Sequence, residues 1–316
     1  MNRIYRWLMV VLLVGALFSA WAARARVDAS GTATEARRVV VSLGTIPPRA
    51  AYLPRVIESL RRQTRRPDAI YVCMARHYAY LPGAGPASVP GFLRDDPLVR
   101  VVMSEARDNG PANKLLLMLD AERDPGTLIL VVDDDWEYPP TTLELLLQKA
   151  AALPGHAVGG SGARLKSNWK RFRVSVGADA AVPAAADELQ FVAQPPRDTA
   201  VDILQGAFGM LYSRGMFVAA DLLALAPTSL AEPLFFADDV LFAAYLAHRG
   251  VRKTCVSGLP MPSLLPSSKI ASLSGGTGSH GTMTRNYRLA VPAMQRRLGV
   301  WQNFSFAETE QVDGMP

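Results

Sequence analysis

The stretch Leu128–Tyr138, Leu-Ile-Leu-Val-Val-Asp-Asp-Asp-Trp-Glu-Tyr, constrains this chain more than any other. An apolar, β-branched run without a polar break is the pattern of a strand buried on both faces, as in a parallel sheet covered by helices. It ends in Asp133, Asp134 and Asp135. If the strand pleat continues through them, Asp133 and Asp135 face one way and Asp134 the other. Adjacent carboxylates at a strand end repel one another, and a nearby cation would relieve that repulsion. Mg²⁺ or Mn²⁺ would suit, because both take hard oxygen ligands and are commonly held by one or two carboxylates with substrate phosphates. The structural alternative is that the acids solubilise the strand end and shape the next turn.

The strands that would flank this one are visible upstream. Val39–Leu43, Ala69–Met74 and Val99–Met103 are short apolar runs, and Leu53, Val56, Ile57 and Leu60 recur at helical spacing between the first two. A further helix is expected from Ala112 to about Glu122, after the Asp108-Asn109-Gly110-Pro111 turn, and residues 82–97 read as a loop. Strand, helix, strand within about 36 residues is the size of a right-handed βαβ unit. The pattern predicts an α/β fold with an open, mostly parallel sheet flanked by helices, whose ligands bind beyond the carboxyl ends of the strands. Thr45 and Arg49, Asp108 and Lys114, and Asp133 and Asp135 fall at those ends. Lys114 opens a helix, where an anion such as a phosphate would offset the unfavourable dipole; otherwise it is a solvated lysine. Arg49 either pairs with a phosphate or lies on the surface.

Composition sets the class. With 316 residues, 49% hydrophobic and 20% charged, the chain has material for a large core. Its net charge of +6 favours an anionic partner, while no zinc-finger spacing or RNA-binding aromatic signature argues for nucleic acid. Cys73 and Cys255 lie in apolar runs without metal-ligand spacing and are expected as buried thiols. The uncharged segment Trp7–Ala23, about 17 residues long, is flanked by arginines and reads as a signal-anchor or transmembrane helix. Ala20-Trp21-Ala22 leaves a cleaved signal peptide as the alternative. Residues 1–36 are thus expected as anchor and linker, 37–305 as the folded domain and 306–316 as a tail. A Golgi-like lumen or a bacterial cytoplasmic face would house the domain.

The run Val39 to Gln63, the turn Asp108-Asn109-Gly110-Pro111-Ala112-Asn113-Lys114 and Val132-Asp133-Asp134-Asp135 together resemble the nucleotide-sugar half of a GT-A glycosyltransferase of the family 2 type. The resemblance spans about residues 38–256, with donor binding in 37–150 and acceptor binding in 151–305. It implies that Asp135 holds a divalent metal against the donor diphosphate. Asp133 would hold the ribose or share the metal, and Thr45, Arg49, Asp108, Lys114 and Asp134 would join the nucleotide-sugar site. Val201–Tyr212 reads as one strand interrupted by glycines, and the resemblance places Gln205 and Gly206 in its acceptor cleft.

Phe235-Phe236-Ala237-Asp238-Asp239 opens a helix that stops at Gly250. The family has Glu-Asp here, and its aspartate deprotonates the acceptor hydroxyl, so the resemblance gives that part to Asp239 or Asp238. A helix start should favour the charged carboxylate; an ordinary N-cap is the alternative. His280, in a glycine-rich stretch, resembles a metal-binding histidine on a closing loop, or is simply solvated. Lys166–Arg173 interleaves basic and aromatic residues and could meet an anion or a membrane, or form a solvated face. These implications converge on a metal-dependent hexosyltransferase, with inversion, acting on a glycan, lipid or protein hydroxyl. A nucleotidyltransferase and a non-catalytic, divalent-ion-dependent carbohydrate-binding protein are the rivals.

Overall fold

Residues 37–78, 80–81, 86–166, 189–270 and 283–305 are described in the computed structural model of this chain. The first strand, β1 (Val39–Gly44), is buried along its first five residues. Pro47 and Pro48 then start a 3-10 turn over Pro47–Tyr52, which delivers the chain into α1 (Leu53–Arg61). Leu53, Val56, Ile57 and Leu60 form the buried stripe of that helix. β2 (Ala69–Ala75) is buried throughout. A four-residue helix α2 (Gly91–Arg94) interrupts what reads in the sequence as loop, and β3 (Val99–Ser104), α3 (Asn113–Ala121) and β4 (Leu128–Val132) follow. β1 pairs in parallel with β2 and with β4, and β2 with β3.

The later elements are shorter. They run β5 (Trp136–Glu137), α4 (Thr142–Ala152), β6 (His156–Gly159), β7 (Ser161–Leu165), β8 (Leu189–Ala193), β9 (Thr199–Ala200), β10 (Ile203–Leu204) and β11 (Met210–Ser213). After them come α5 (Ala219–Leu225), α6 (Asp238–His248), β12 (Arg252–Cys255), β13 (Ser263–Leu264) and α7 (Met283–Leu298). The described residues form an eight-stranded sheet of order β3-β2-β1-β4-β11-β6-β12-β9. β11 runs antiparallel to both β4 and β6, whereas β12 is parallel to β6. Side chains of α3, α6 and α7 cover one sheet face, and those of α1 and α4 the other. The chain is therefore a mixed α/β fold around a largely parallel sheet, and residues from Arg38 onward belong to one compact unit.

Two features position the site. From β1 the chain steps outward to β2 and β3, then returns to place β4 on the other side of β1. The connections leaving the carboxyl ends of β1 and β4 diverge there, the place at which open α/β sheets usually bind their ligands. The second feature corrects a sequence expectation. Val201–Tyr212 is not one strand: β10 pairs with β7 in a separate three-stranded sheet, a 3-10 turn spans Gly206–Phe208, and β11 joins the main sheet. Gly209, at φ +83°, makes the break, a backbone region that L side chains rarely enter. Cys73 and Cys255 are buried free thiols on β2 and β12, as expected.

Among the described residues no helix is long and apolar enough to cross a membrane. The expected anchor at 1–36, most of the basic run Lys166–Arg173, His280 and the tail 306–316 lie outside the described residues.

Candidate active site

β4 ends at Val132, so the strand pleat does not carry through the three aspartates. Asp134 and Asp135 sit in a turn and share a cation: Arg49 Nη1 lies 2.6 Å from Asp134 Oδ1 and 3.3 Å from Asp135 Oδ2. The expectation that Asp133 and Asp135 share a strand face while Asp134 turns away is replaced by this arrangement. Thr45 Oγ1, just beyond β1, donates to Asp134 Oδ2 at 2.6 Å. Asp134 thus keeps a 5% exposed side chain and ties the ends of β1 and β4 together. Asp133 and Asp135 are more open, at 30% and 16%. Arg49 is neither a surface residue nor a free anion receptor, because its Nε also donates to the Ile270 carbonyl at 2.9 Å.

Lys114 is the centre of the second half of the site. Its Nζ stands 2.7 Å from Asp133 Oδ1 and 2.8 Å from Asp238 Oδ2, with a side chain only 6% exposed. The solvated alternative is excluded by that burial. Desolvation alone would lower its pKa, but Asp133, Asp238 and Asp239 outweigh it and hold the ammonium well above the lysine range. Gly206 closes the floor, since a Cβ there would fall 2.6 Å from Asp133 Oδ1 and 2.9 Å from Lys114 Nζ. Only glycine lets this backbone approach so closely. Gly110, at φ +62°, does likewise where the Asp108–Lys114 turn meets the Phe235 carbonyl, which a Cβ would approach to 2.5 Å.

Asp238 and Asp239 open α6, as expected. Their charge state differs from expectation at Asp239. Burial first, then the neighbouring Asp238, pushes its carboxyl well above the usual range, against the pull of Lys114 and a hydrogen bond from Tyr287. Asp239 Oδ1 is buried without a partner among the described residues, so the helix-start effect, worth about 1 kcal/mol, loses to desolvation. Tyr287 Oη donates to Asp239 Oδ2 at 3.1 Å, and Gln205 Nε2 donates to Tyr287 Oη at 3.4 Å. Gln205 and Gly206 therefore reach the same cluster as Asp133, Lys114 and Asp239. Burial and then Asp133 and Asp134 also push Asp135 up to about 7, despite Arg49 and Lys114. Asp108 stands apart: its Oδ1 accepts from Gly110 N and Asn113 Nδ2, while burial raises it to about 6.

Three contributors are not reached from the sequence. Tyr138 accepts the Asp133 amide at 3.0 Å and fixes the turn. Phe235 packs against Gly110. Tyr287 comes from α7, whose stripe of Tyr287, Ala290, Val291 and Met294 is a legible helical period and the signal that would have found it.

Among the described residues no group of three or more His, Cys, Asp or Glu side chains is placed to hold a metal ion. The donor chemistry of Asp133 and Asp135 nevertheless fits a hard divalent ion, because Mg²⁺ and Mn²⁺ need only one or two carboxylates when phosphates complete the shell. No protein-family model matches this chain, and no curated protein matches it significantly.

Proposed function

We propose that the chain is a metal-dependent glycosyltransferase of GT-A type that moves a sugar from a nucleotide diphosphate donor to a hydroxyl acceptor, with inversion, and is held at a membrane by residues 1–36. The observation that carries this reading is the meeting of the ends of β4, α3 and α6 in one ionised cluster. Asp133, Lys114 and Asp238 form a continuous chain of ion pairs between the proposed donor and acceptor sides. Asp133 and Asp135 would hold the divalent ion, whose contribution when bound is to offset charge building on the departing nucleoside diphosphate. Lys114 and Arg49 supply fixed positive charge beside the same carboxylates. Asp239 is the proposed base; it takes up the acceptor proton only after losing its own, so Tyr287 and Lys114, which favour its ionised form, prepare it.

The test is product identity. The purified chain is incubated with a panel of nucleotide diphosphate sugars, Mn²⁺ and hydroxyl acceptors, and thermal unfolding is followed with each donor. The expected result is a raised midpoint with one donor, release of nucleoside diphosphate, and its loss in Asp239→Asn. Pyrophosphate release would make it a nucleotidyltransferase, and sugar binding unaffected by Asp239→Asn a carbohydrate-binding protein. No shift with any donor would overturn the reading.

A further inference from the structure

The far edge of the main sheet carries a feature the proposed transfer does not use. β3 pairs with β2 and, among the described residues, with no other strand. The Leu98 carbonyl accepts from Ile70 N and the Ser104 carbonyl from Arg76 N, so even-numbered residues of β3 turn their backbone groups toward β2. By the two-residue period, Val101 and Met103 turn theirs outward. A cleft of about 500 Å³ lies there, lined by Val99, Arg100 and Val101 together with Leu93, Arg94 and Arg76. Consecutive residues of a strand point to opposite faces, so a cleft touching all three β3 residues follows the strand's edge rather than covering one face.

The charge of this edge is one-sided. Arg94 donates to the Val89 carbonyl at 3.3 Å, and Arg100 to the carbonyls of Pro97 and Val99 at 2.7 and 3.0 Å. Neither pairs with a carboxylate among the described residues. Arg76 is already committed, to both Glu105 oxygens at 2.7 and 2.9 Å and to the Ala87 carbonyl at 2.6 Å, which leaves Arg94 and Arg100 as the cations of this edge. Between the arginines the lining is aliphatic, from Leu93, Val99 and Val101. An unpaired strand edge wants main-chain donors and acceptors, and the guanidinium groups want carboxylates at intervals along it.

We propose that this edge receives an acidic, extended segment of a partner chain as an added strand, with aliphatic residues entering the cleft and acidic ones meeting Arg94 and Arg100. Main-chain pairing supplies the affinity and the arginines supply the choice of partner. The free edge would then be a docking site rather than one merely guarded by arginines against aggregation.

The test uses the full chain and a fluorescein-labelled decapeptide of alternating glutamate and valine, followed by anisotropy. Two further peptides replace glutamate by lysine, or keep the sequence and N-methylate alternate residues. The expected result is saturable binding of the first, weakened about tenfold or more in each of the others. The doubly substituted Arg94→Glu, Arg100→Glu protein should also lose about tenfold or more while keeping its unfolding midpoint; the peptide series on the unsubstituted protein stands even if that variant fails to fold. Equal binding of the N-methylated peptide, absence of saturable binding, or binding to phosphatidylserine vesicles in place of the peptide would overturn the proposal.

Discussion

The two ends of the central strands β1 and β4 both carry ionised clusters, and they are built on opposite principles. Before β1, Arg38 and Glu122 make a two-pronged pair at 2.5 and 2.9 Å, and Tyr71 adds a hydroxyl to the same carboxylate at 2.6 Å. One acid meets one cation. Burial would raise Glu122, but Arg38 and Tyr71 outweigh it and lower its pKa, while Glu122 raises Arg38, so both charged forms are favoured. Beyond β4, Asp133, Asp134, Asp135, Asp238 and Asp239 face Lys114 and Arg49. Burial first, and then the crowding of carboxylates, drives Asp135 and Asp239 upward. A balanced cluster holds the fold together, whereas an unbalanced one stores a cost that ligand binding can relieve.

Substitutions can break or sharpen that contrast. Lys114→Met should have the largest effect, destabilising by about 3–5 kcal/mol in chemical denaturation, because it strands Asp133 and Asp238 without their shared cation. The next pair should move in opposite directions. Glu122→Gln should cost about 1–2 kcal/mol and leave donor-dependent turnover unchanged. Asp135→Asn should instead raise the melting temperature by about 2–4 °C, since it removes a poorly neutralised charge, while abolishing the metal dependence of donor binding. If Asp135→Asn destabilises as Glu122→Gln does, the two ends are not different in kind.

The smallest effect concerns pH. The Asp108 carboxyl, raised to about 6 from 3.8, keeps its proton in the folded state where the unfolded chain has lost it. Stability relative to Asp108→Asn should therefore fall as pH rises from about 4 to 6, by about 1–2 kcal/mol, in urea melts across that range. A constant difference would show that Asp108 is not strained.

The first half of the sheet is legible in the sequence because β1, β2 and β4 are short apolar runs bounded by turn residues and are buried, while β3 keeps enough of the pattern to be found although only Val99 in it is buried. The acidic cluster at β4, the α6 start and the stop at Gly250 follow from the same local signals. What is missing comes from long-range pairing. Nothing near Val201–Tyr212 announces that β10 and β11 belong to different sheets, since the partners of β11 lie at Leu128–Val131 and Val158–Gly159. Pleat alternation misplaces Asp134 and Asp135 because it assumes a strand that has already ended at Val132. The helix-dipole argument misjudges Asp239 because burial is invisible in one dimension.

The reversed strand β11 bears on how the chain is made. β4 has β1 on one side, and its other neighbour is supplied by Met210–Ser213, about 80 residues downstream. At ribosomal speeds of about 5–20 residues per second, several seconds pass in which a fully apolar strand waits with one flank open. Cutting the gene between β4 and β11 would yield not two autonomous pieces but two aggregating fragments, and a nascent-chain chaperone would find its binding segment at Leu128–Val132.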